Sequence, residues 1–517
     1  MAEIVNLDAL IPREDFEIAE AQDQAQAMQT IQIRDLEKDS FFYSVIRKPD
    51  FQRETNEWGI GKITDFVQSF LDGDLIPAII LWRGGANIFV IDGAHRLSAL
   101  IAWVQDDCGD GLVSKLFYSG ALPEEQVRAA ERTRKFLKKA IGSYQDHKNA
   151  IQHPDQFAPE TVARARRLAS LALQLQWVTG DATKAEASFF KINQQAAPID
   201  KTELRLLQSR NKPNALAARA IIRAGTGHKY WSRFTENVKA EIEQQAKEIN
   251  ELLFTPALKT PIKTLDLPVA GRGYSSQTLP LVFELVNITN HAPSENPPDD
   301  KDDKDGKTTI EHLKNCHRIL NRISGTHPSS LGMHPAVYFY SNTGRYQPTT
   351  FFGIVEFIKE LEKKNAFKSF ISVRKEFEAF LLKYKMLPNQ VTLKYGSGLK
   401  GYQPMAEFFS TILRSCLDGK SQEETIAALI SQPRFSYLQA QEMDENGDVS
   451  AAFNTAAKSA AFLRDALKEP LRCGICGGLI HFNSISIDHI KRREDGGLGA
   501  VDNAQLSHPF CNTTVKN

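Results

Sequence analysis

The spacing of hydrophobic positions changes several times along the chain. Ala78-Ile79-Ile80-Leu81-Trp82 and Ile88-Phe89-Val90-Ile91 are short apolar runs on either side of Gly84-Gly85-Ala86-Asn87, which predicts two buried strands joined as a hairpin. Directly after Asp92-Gly93, Leu97, Leu100, Ile101 and Val104 recur at intervals of three and four, so a helix follows the second strand. Residues 120–225 carry Ala/Leu/Arg-rich amphipathic runs broken near Gly142, Gly180 and Pro198. Helical periodicity returns over 309–468, as in Ile354-Val355-Glu356-Phe357-Ile358-Lys359 and the Ala-rich stretch 451–467. Residues 1–34, acidic and rich in Gln and Ala at the start, predict a helical lead-in. From His291 to Lys307, Pro293, Pro297-Pro298 and Asp299-Asp300-Lys301-Asp302-Asp303-Lys304-Asp305 predict a solvated linker or exposed loop. No internal repeat is visible, and Pro470 precedes a short tail.

These segments describe a multidomain α+β chain: a lead-in at 1–34, an α+β domain at 35–225, a largely α-helical region at 226–468 with an acidic linker or loop at 291–308, and a tail at 469–517. Length agrees, since 517 residues suit three or four domains at roughly 150 residues each. Apolar residues at 42% and charged residues at 24% permit a sizeable core. No apolar run approaches the roughly 18 residues of a membrane span, and the acidic N-terminus has no basic lead to an apolar segment. The expectation is a cytoplasmic protein with no membrane partner. Lys+Arg and Asp+Glu are equal at 63, so any nucleic-acid surface must be local. One local candidate is the helix bearing Arg128, Arg132, Arg134, Lys135, Lys138 and Lys139, which reads equally as a DNA channel or a solvated face.

Cysteine placement sharpens the picture. Cys108, Cys316 and Cys416 stand alone, whereas Cys473-x-x-Cys476 is followed, after 31 intervening residues, by His508-x-x-Cys511. Two paired knuckles supplying three sulfurs and one imidazole are what a tetrahedral structural Zn²⁺ requires. Between them lie Ser486-Ile487-Asp488-His489-Ile490, Gly496-Gly497 and Asn503, with Asn512 directly after Cys511. This tail resembles the HNH (ββα-metal) nuclease family, in which a strand ends in Asp-His-Ile, a Gly-Gly loop leads to an Asn, and the chain closes in Cys-Asn or Cys-His.

Phosphodiester hydrolysis asks for such residues on its own account. It needs a base to deprotonate water and a divalent cation to neutralise developing charge. His489 suits the base; Asp488 offers a hard oxygen to Mg²⁺ or a similar cation, and the Asn512 carbonyl a second. By resemblance, Asn503 braces the loop that aims the histidine. Lys491-Arg492-Arg493 can touch phosphates flanking the cut. The tail from Glu469 holds five basic and five acidic residues, so by itself it should hold DNA weakly.

A second constellation lies at the predicted strand-to-helix junction Ile91-Asp92-Gly93-Ala94-His95-Arg96. Backbone amides at a helix start attract anions, Gly93 permits close approach, and Arg96 can grip a phosphate. Upstream stand Gln52 and Arg53, and downstream Phe189-Phe190-Lys191-Ile192-Asn193 leads to Glu203-Leu204-Arg205. The trio resembles the ParB/sulfiredoxin-like domain of GmrSD-type and SspE-type anti-phage restriction proteins. That resemblance implies a nucleoside triphosphate held by Gln52, Arg53, Asp92, Gly93, His95, Arg96 and Asn193, and NTPase activity as a further expectation, with Ala94 standing where the family usually has Gln.

Together the two ends resemble a nucleotide-regulated, metal-dependent endonuclease that cuts invading double-stranded DNA, modified or phage-derived, in bacterial defence; the oligomeric state stays open. Two alternatives compete: a ParB-like DNA-binding clamp with a non-catalytic zinc-stapled tail, and a nucleotide-independent mobile-element HNH endonuclease. The intact Asp488-His489 pair and Asn512 weigh against the first, and the Gln52-Arg53, Asp92-Gly93 and Asn193 set against the second.

Overall fold

The computed structural model describes residues 5–14, 28–49, 58–117, 122, 124–196, 205–206, 209–226, 230–273, 278–291, 300–440 and 455–515. It divides into two compact units, one of Met1–Arg210 with Thr226–Thr235 and Tyr274–Ser276, the other of Asn211–Gly225, Glu236–Gly273 and Gln277–Asn517.

The first unit is mixed α/β. Strands β1 (Arg13–Glu14), β2 (Thr30–Gln32), β3 (Ile46–Pro49), β4 (Ile79–Gly84), β5 (Asn87–Asp92) and β6 (Ala172–Trp177) form a sheet in the order β1-β3-β5-β4-β6-β2. The predicted hairpin is β4–β5, with Gly84 opposite Asn87 and Gly85 at φ 56°, in the left-handed region that tight hairpin turns favour. Side chains alternate across this pair. Ile79, Leu81, Ile88 and Val90 join Leu97, Leu100 and Ile101 of the helix Ala94–Gln105 in the main core. Trp82, Phe89 and Ile91 face the other way, onto Ala185 and Phe189 of the helix Ala182–Ala196. Both apolar strands are therefore covered on both faces.

The described part of the lead-in is not helical in the way predicted. Val5, Leu7, Leu10 and Ile11 enter the main core, residues 8–10 make one 3₁₀ turn, and β1 and β2 belong to the sheet. The physical reason is Asp8, whose buried carboxylate accepts hydrogen bonds from Arg13 Nη2 at 2.8 Å and from Lys48 Nζ of β3 at 2.6 Å. A buried charge must be paired, and the pairing draws this segment against the sheet.

The second unit packs Pro213–Ile222, Glu236–Phe254, Thr278–Asn290 and Lys307–Ile323 together, and Pro348–Lys363 along Tyr402–Leu417. Phe357 sits among Phe370, Phe377 and Phe409 with ring centroids 5.8, 6.0 and 6.1 Å away. Helix Pro213–Ile222, nearly all of it buried, belongs to this unit, as does the tail with its strands β7 (Ser486–His489) and β8 (Ala504–Ser507). The acidic stretch also departs from a plain exposed loop. Lys301, Asp302, Lys304 and Asp305 face solvent, but Asp303 is buried and caps Lys307–Ile323, accepting from Gly306 N at 2.9 Å and from Thr309 N and Oγ1 at 2.7 Å. The open amides of a helix start outweigh composition here.

His481 is buried and its ring lies edge-on to that of His334, centroids 5.4 Å apart. Burial pushes its pKa down to about 4 from 6.5, against the opposing pull of Asp266. Because the folded value is the lower one, protons favour the unfolded chain. Stability carried by the neutral ring is present above pH 6.5 and lost as pH falls toward 4, on the order of 3 kcal/mol. Urea midpoints measured across that interval should fall steeply for the natural chain, and His481→Phe should flatten the fall.

Candidate metal centre and active site

Two tight knuckles present the four soft or borderline donors. Cys473 N donates to Gly478 O and Gly477 N to Cys473 O, both at 2.9 Å, in a turn that Gly477 permits at φ 70°. Gly474 N donates to Leu506 O at 2.9 Å, anchoring this knuckle on β8, and β8 leads directly into His508 and Cys511. One donor atom from each of Cys473, Cys476, His508 and Cys511 lies within 4.8 Å of all the others, and all four residues are buried. His508 Nε2 donates to Leu479 O at 2.9 Å, which leaves Nδ1 facing Cys476 Sγ at 3.4 Å and Cys511 Sγ at 3.9 Å.

The electrostatics of this group favour a cation. Burial, with the Arg374 guanidinium beside it, holds the His508 imidazole below the ordinary histidine range and so neutral. Donation from Cys476 and Cys511 drives the Cys473 thiol far down, while proximity to Cys473 pushes Cys476 up to about 11. Three crowded sulfurs cannot all ionise unless a positive ion sits among them. Sulfur and imidazole together are the donor set of a borderline metal.

Sequence reasoning missed what stands behind the knuckles. On the helix Arg374–Lys383, Arg374 and Glu378 form an ion pair with both side chains fully buried, Nε to Oε1 at 2.7 Å. Glu378 Oε1 also accepts from Tyr338 Oη at 2.9 Å, and its Oε2 accepts from Leu479 N at 2.8 Å. Arg374 donates to the carbonyls of Leu331 and Gly332 and places Nη1 3.2 Å from His508 Nδ1. Leu479 is thus held at its amide by Glu378 while its carbonyl fixes the His508 ring. Gly332, at φ 59°, has no room for a side chain, because a Cβ there would lie 2.5 Å from His508 Cδ2. Further ties are Phe510 N to Ser330 O at 3.0 Å and Gly325 N to Ser484 Oγ at 2.9 Å. Glu378 and Leu479 are 101 positions apart, beyond the reach of any local pattern. Tyr338, Phe339 and Tyr340 are buried in this region as core.

Strands β7 and β8 pair antiparallel, with Asp488 opposite Gln505 and His489 opposite Ala504. Gln505 Nε2 donates to Asp488 Oδ2 at 2.7 Å, fixing a carboxylate that is 6% exposed. Ser486 and Asp488 share one face of β7, Ile487 and His489 the other. Asn512 Nδ2 donates to Ser486 Oγ at 2.7 Å and Ile487 O at 3.2 Å, so its side chain lies beside the strand that carries Asp488. Asn503 clamps the loop after His489. Its Oδ1 accepts from Lys491 N at 2.7 Å, and its Nδ2 donates to Leu498 O at 2.8 Å and Lys491 O at 3.2 Å. Arg493, carried on that loop, donates from Nε to His489 Nε2 at 3.4 Å.

In the first unit, Asp92 ends β5 and Gly93, at φ 97°, opens the helix Ala94–Gln105, which no side chain caps among the described residues. Arg96 pairs with the Asp92 carboxylate and donates from Nη1 to Pro77 O at 2.5 Å. His95 stacks on Trp58 with centroids 5.8 Å apart. Gln52 and Arg53 lie outside the described residues; Asn193 falls in the helix Ala182–Ala196, and its side chain lies outside them as well. Of the basic run on Glu124–Ile141, Arg134 is committed to Asp106 and Asp110, while Arg128, Arg132, Lys135, Lys138 and Lys139 are exposed.

Strand β7 thus ends in Asp488-His489, and β8, paired with it, runs into the second knuckle of the Cys3His group. A family model described as HNH endonuclease matches residues 473–517, and one described as GmrSD restriction endonuclease, N-terminal domain, matches residues 32–209. The chain therefore has the GmrSD-type architecture of a restriction endonuclease, a nuclease whose substrate is DNA. No curated protein and no solved structure matches it. No helix among the described residues is long and apolar enough to cross a membrane.

Proposed function

We propose that this restriction-type endonuclease is metal-dependent and nucleotide-regulated, that its target is invading DNA carrying a modification or phage origin, and that its first unit is a ParB/sulfiredoxin-like nucleotide-binding domain. The observation that carries the catalytic half is the arrangement along β7: a carboxylate fixed by Gln505, an asparagine held beside the same strand, and a histidine at the strand end under a clamped loop. Cys473, Cys476, His508 and Cys511 suit a structural Zn²⁺, since their donors are buried and none is left over for substrate.

Asp488 and Asn512 offer hard oxygens, which fit Mg²⁺ or a similar cation. Such an ion, when bound, neutralises charge on the scissile phosphate and the leaving oxygen. His489 takes the proton of the attacking water at Nε2, the nitrogen that accepts from Arg493. When a phosphate oxygen draws the Arg493 guanidinium away, that nitrogen opens toward water, so DNA itself prepares the base. Asn503 keeps the loop that carries Arg493 in register with His489.

In the first unit, the positive end of the helix that starts after Gly93 favours an anion, and the Asp92–Arg96 pair sets the guanidinium at its edge. Nucleotide bound there biases the chain between a cutting and a silent state. Arg96→Ala should weaken nucleoside triphosphate binding by roughly 30- to 150-fold, the value of one charge-assisted contact, while leaving zinc content unchanged. Isothermal titration on both proteins, paired with plasmid cleavage in Mg²⁺ with and without each triphosphate, checks this. Failure of the natural chain to bind any triphosphate would make the first unit a DNA-recognition module instead.

A further inference from the structure

The second unit holds another cluster that neither the nuclease site nor the first unit uses. His291 follows the helix Thr278–Asn290, His312 lies in the second turn of Lys307–Ile323, and Asp300 belongs to the acidic stretch between them. One ligand atom from each lies within 4.8 Å of the other two. His291 Nε2 and Asp300 Oδ2 are 3.3 Å apart, and the two imidazoles meet edge to face with centroids 5.7 Å apart. His291 Nε2, Asp300 Oδ2 and His312 Nδ1 are all buried atoms without a hydrogen-bond partner among the described residues, and the His312 side chain as a whole is buried.

We propose that His291, Asp300 and His312 bind a divalent transition metal of the Zn²⁺ class, with water in the fourth position. Each buried polar atom left unpaired costs about 1–3 kcal/mol, and here three such atoms converge. A simple His–Asp ion pair satisfies at most two of them and leaves His312 Nδ1 without a partner among the described residues. One cation satisfies all three. The His291–Asp300 separation of 3.3 Å also fits, because two ligands about 2.0–2.1 Å from a tetrahedral ion lie about 3.3–3.4 Å apart. Two nitrogens and one carboxylate oxygen are borderline donors, which disfavours the all-oxygen preference of Mg²⁺ and Ca²⁺. The neighbouring bonds hold the frame: Asn290 Nδ2 donates to His312 O at 3.2 Å, Asn315 Nδ2 donates to Asn290 Oδ1 at 3.0 Å, and Asp303 fixes the start of the His312 helix.

The test uses the full chain, loaded with zinc for metal analysis and with Co²⁺ for absorption spectroscopy. With excess Mg²⁺ present to occupy the Asp488–Asn512 site, the natural protein should carry about two equivalents of transition metal, and Asp300→Asn and His312→Ala about one. Both variants should keep the sulfur-to-cobalt charge-transfer band of the Cys3His group. Cys476→Ser should do the opposite, losing that band and retaining the weaker nitrogen–oxygen spectrum. If His312→Ala fails to fold by circular dichroism, Asp300→Asn decides, since Asp300 lies on a partly exposed loop. A natural chain that takes up one equivalent only, with content unchanged in Asp300→Asn, overturns the proposal.

Discussion

Replacing His489 with alanine should lower DNA cleavage by roughly 10²–10⁴-fold, the usual cost of losing a positioned base. The loss should leave folding, metal content and nucleotide binding as they are, because His489 is not one of the four knuckle donors. Single-turnover cleavage of a plasmid, with zinc content and circular dichroism measured on the same preparation, checks all of this. Undiminished cutting by the variant would move the chemistry away from β7. A companion substitution, Arg493→Ala, separates two roles for that side chain. If the guanidinium serves only to cover His489, cleavage should hold or rise; if it also grips phosphate, cleavage should fall and grow more sensitive to salt.

The second large effect is structural. Glu378→Ala leaves the fully buried Arg374 without its carboxylate and frees both the Leu479 amide and the Tyr338 hydroxyl. Breaking a buried ion pair from one side costs about 3–5 kcal/mol, whereas replacing both partners with apolar residues of similar volume is often near neutral. Urea denaturation should therefore show a large loss for Glu378→Ala and a much smaller one for the double variant Arg374→Met, Glu378→Leu. The double variant still lacks the bond to Leu479. It should release zinc to a chelator faster than the natural chain even where its stability is nearly restored, since partners that orient a metal ligand commonly contribute 10–100-fold in affinity. Equal release rates would show that the pair supports the fold without orienting His508.

What could be read from the chain and what could not divide along contact distance. The β4–β5 hairpin and the helix after Gly93 follow from local period and turn chemistry, and the knuckle spacing brings out the Cys3His group because both halves of each pair are local. Asp488 and His489 are adjacent, so their chemistry is visible as a word in the sequence. Gln505 was within reach too, since pairing the two strands of the tail places it opposite Asp488. By contrast, Asp8 looked like one more acid in a polar lead-in until Lys48, 40 positions on, was seen to donate to it. Arg374 and Glu378 stand four positions apart, a helical spacing that carries no sign of burial. Asp300 and Asp303 sat in a run whose composition speaks for solvent, and only the positions of His291, His312 and the next helix start turn those two inward. Burial of charge is decided by partners far off in sequence, and periodicity carries no trace of them.

The hold of Glu378 on Leu479, and of Ser330 on Phe510, also sets an order of events during synthesis. The ribosome delivers Gly325 through Glu378 before Cys473, so the residues that brace the knuckles are made first. A broken chain that stops short of His508 lacks half its metal donors, and a fragment released by a protease near Pro470 leaves behind the residues that brace its centre. Either piece therefore lacks part of the bonded frame around the four donors.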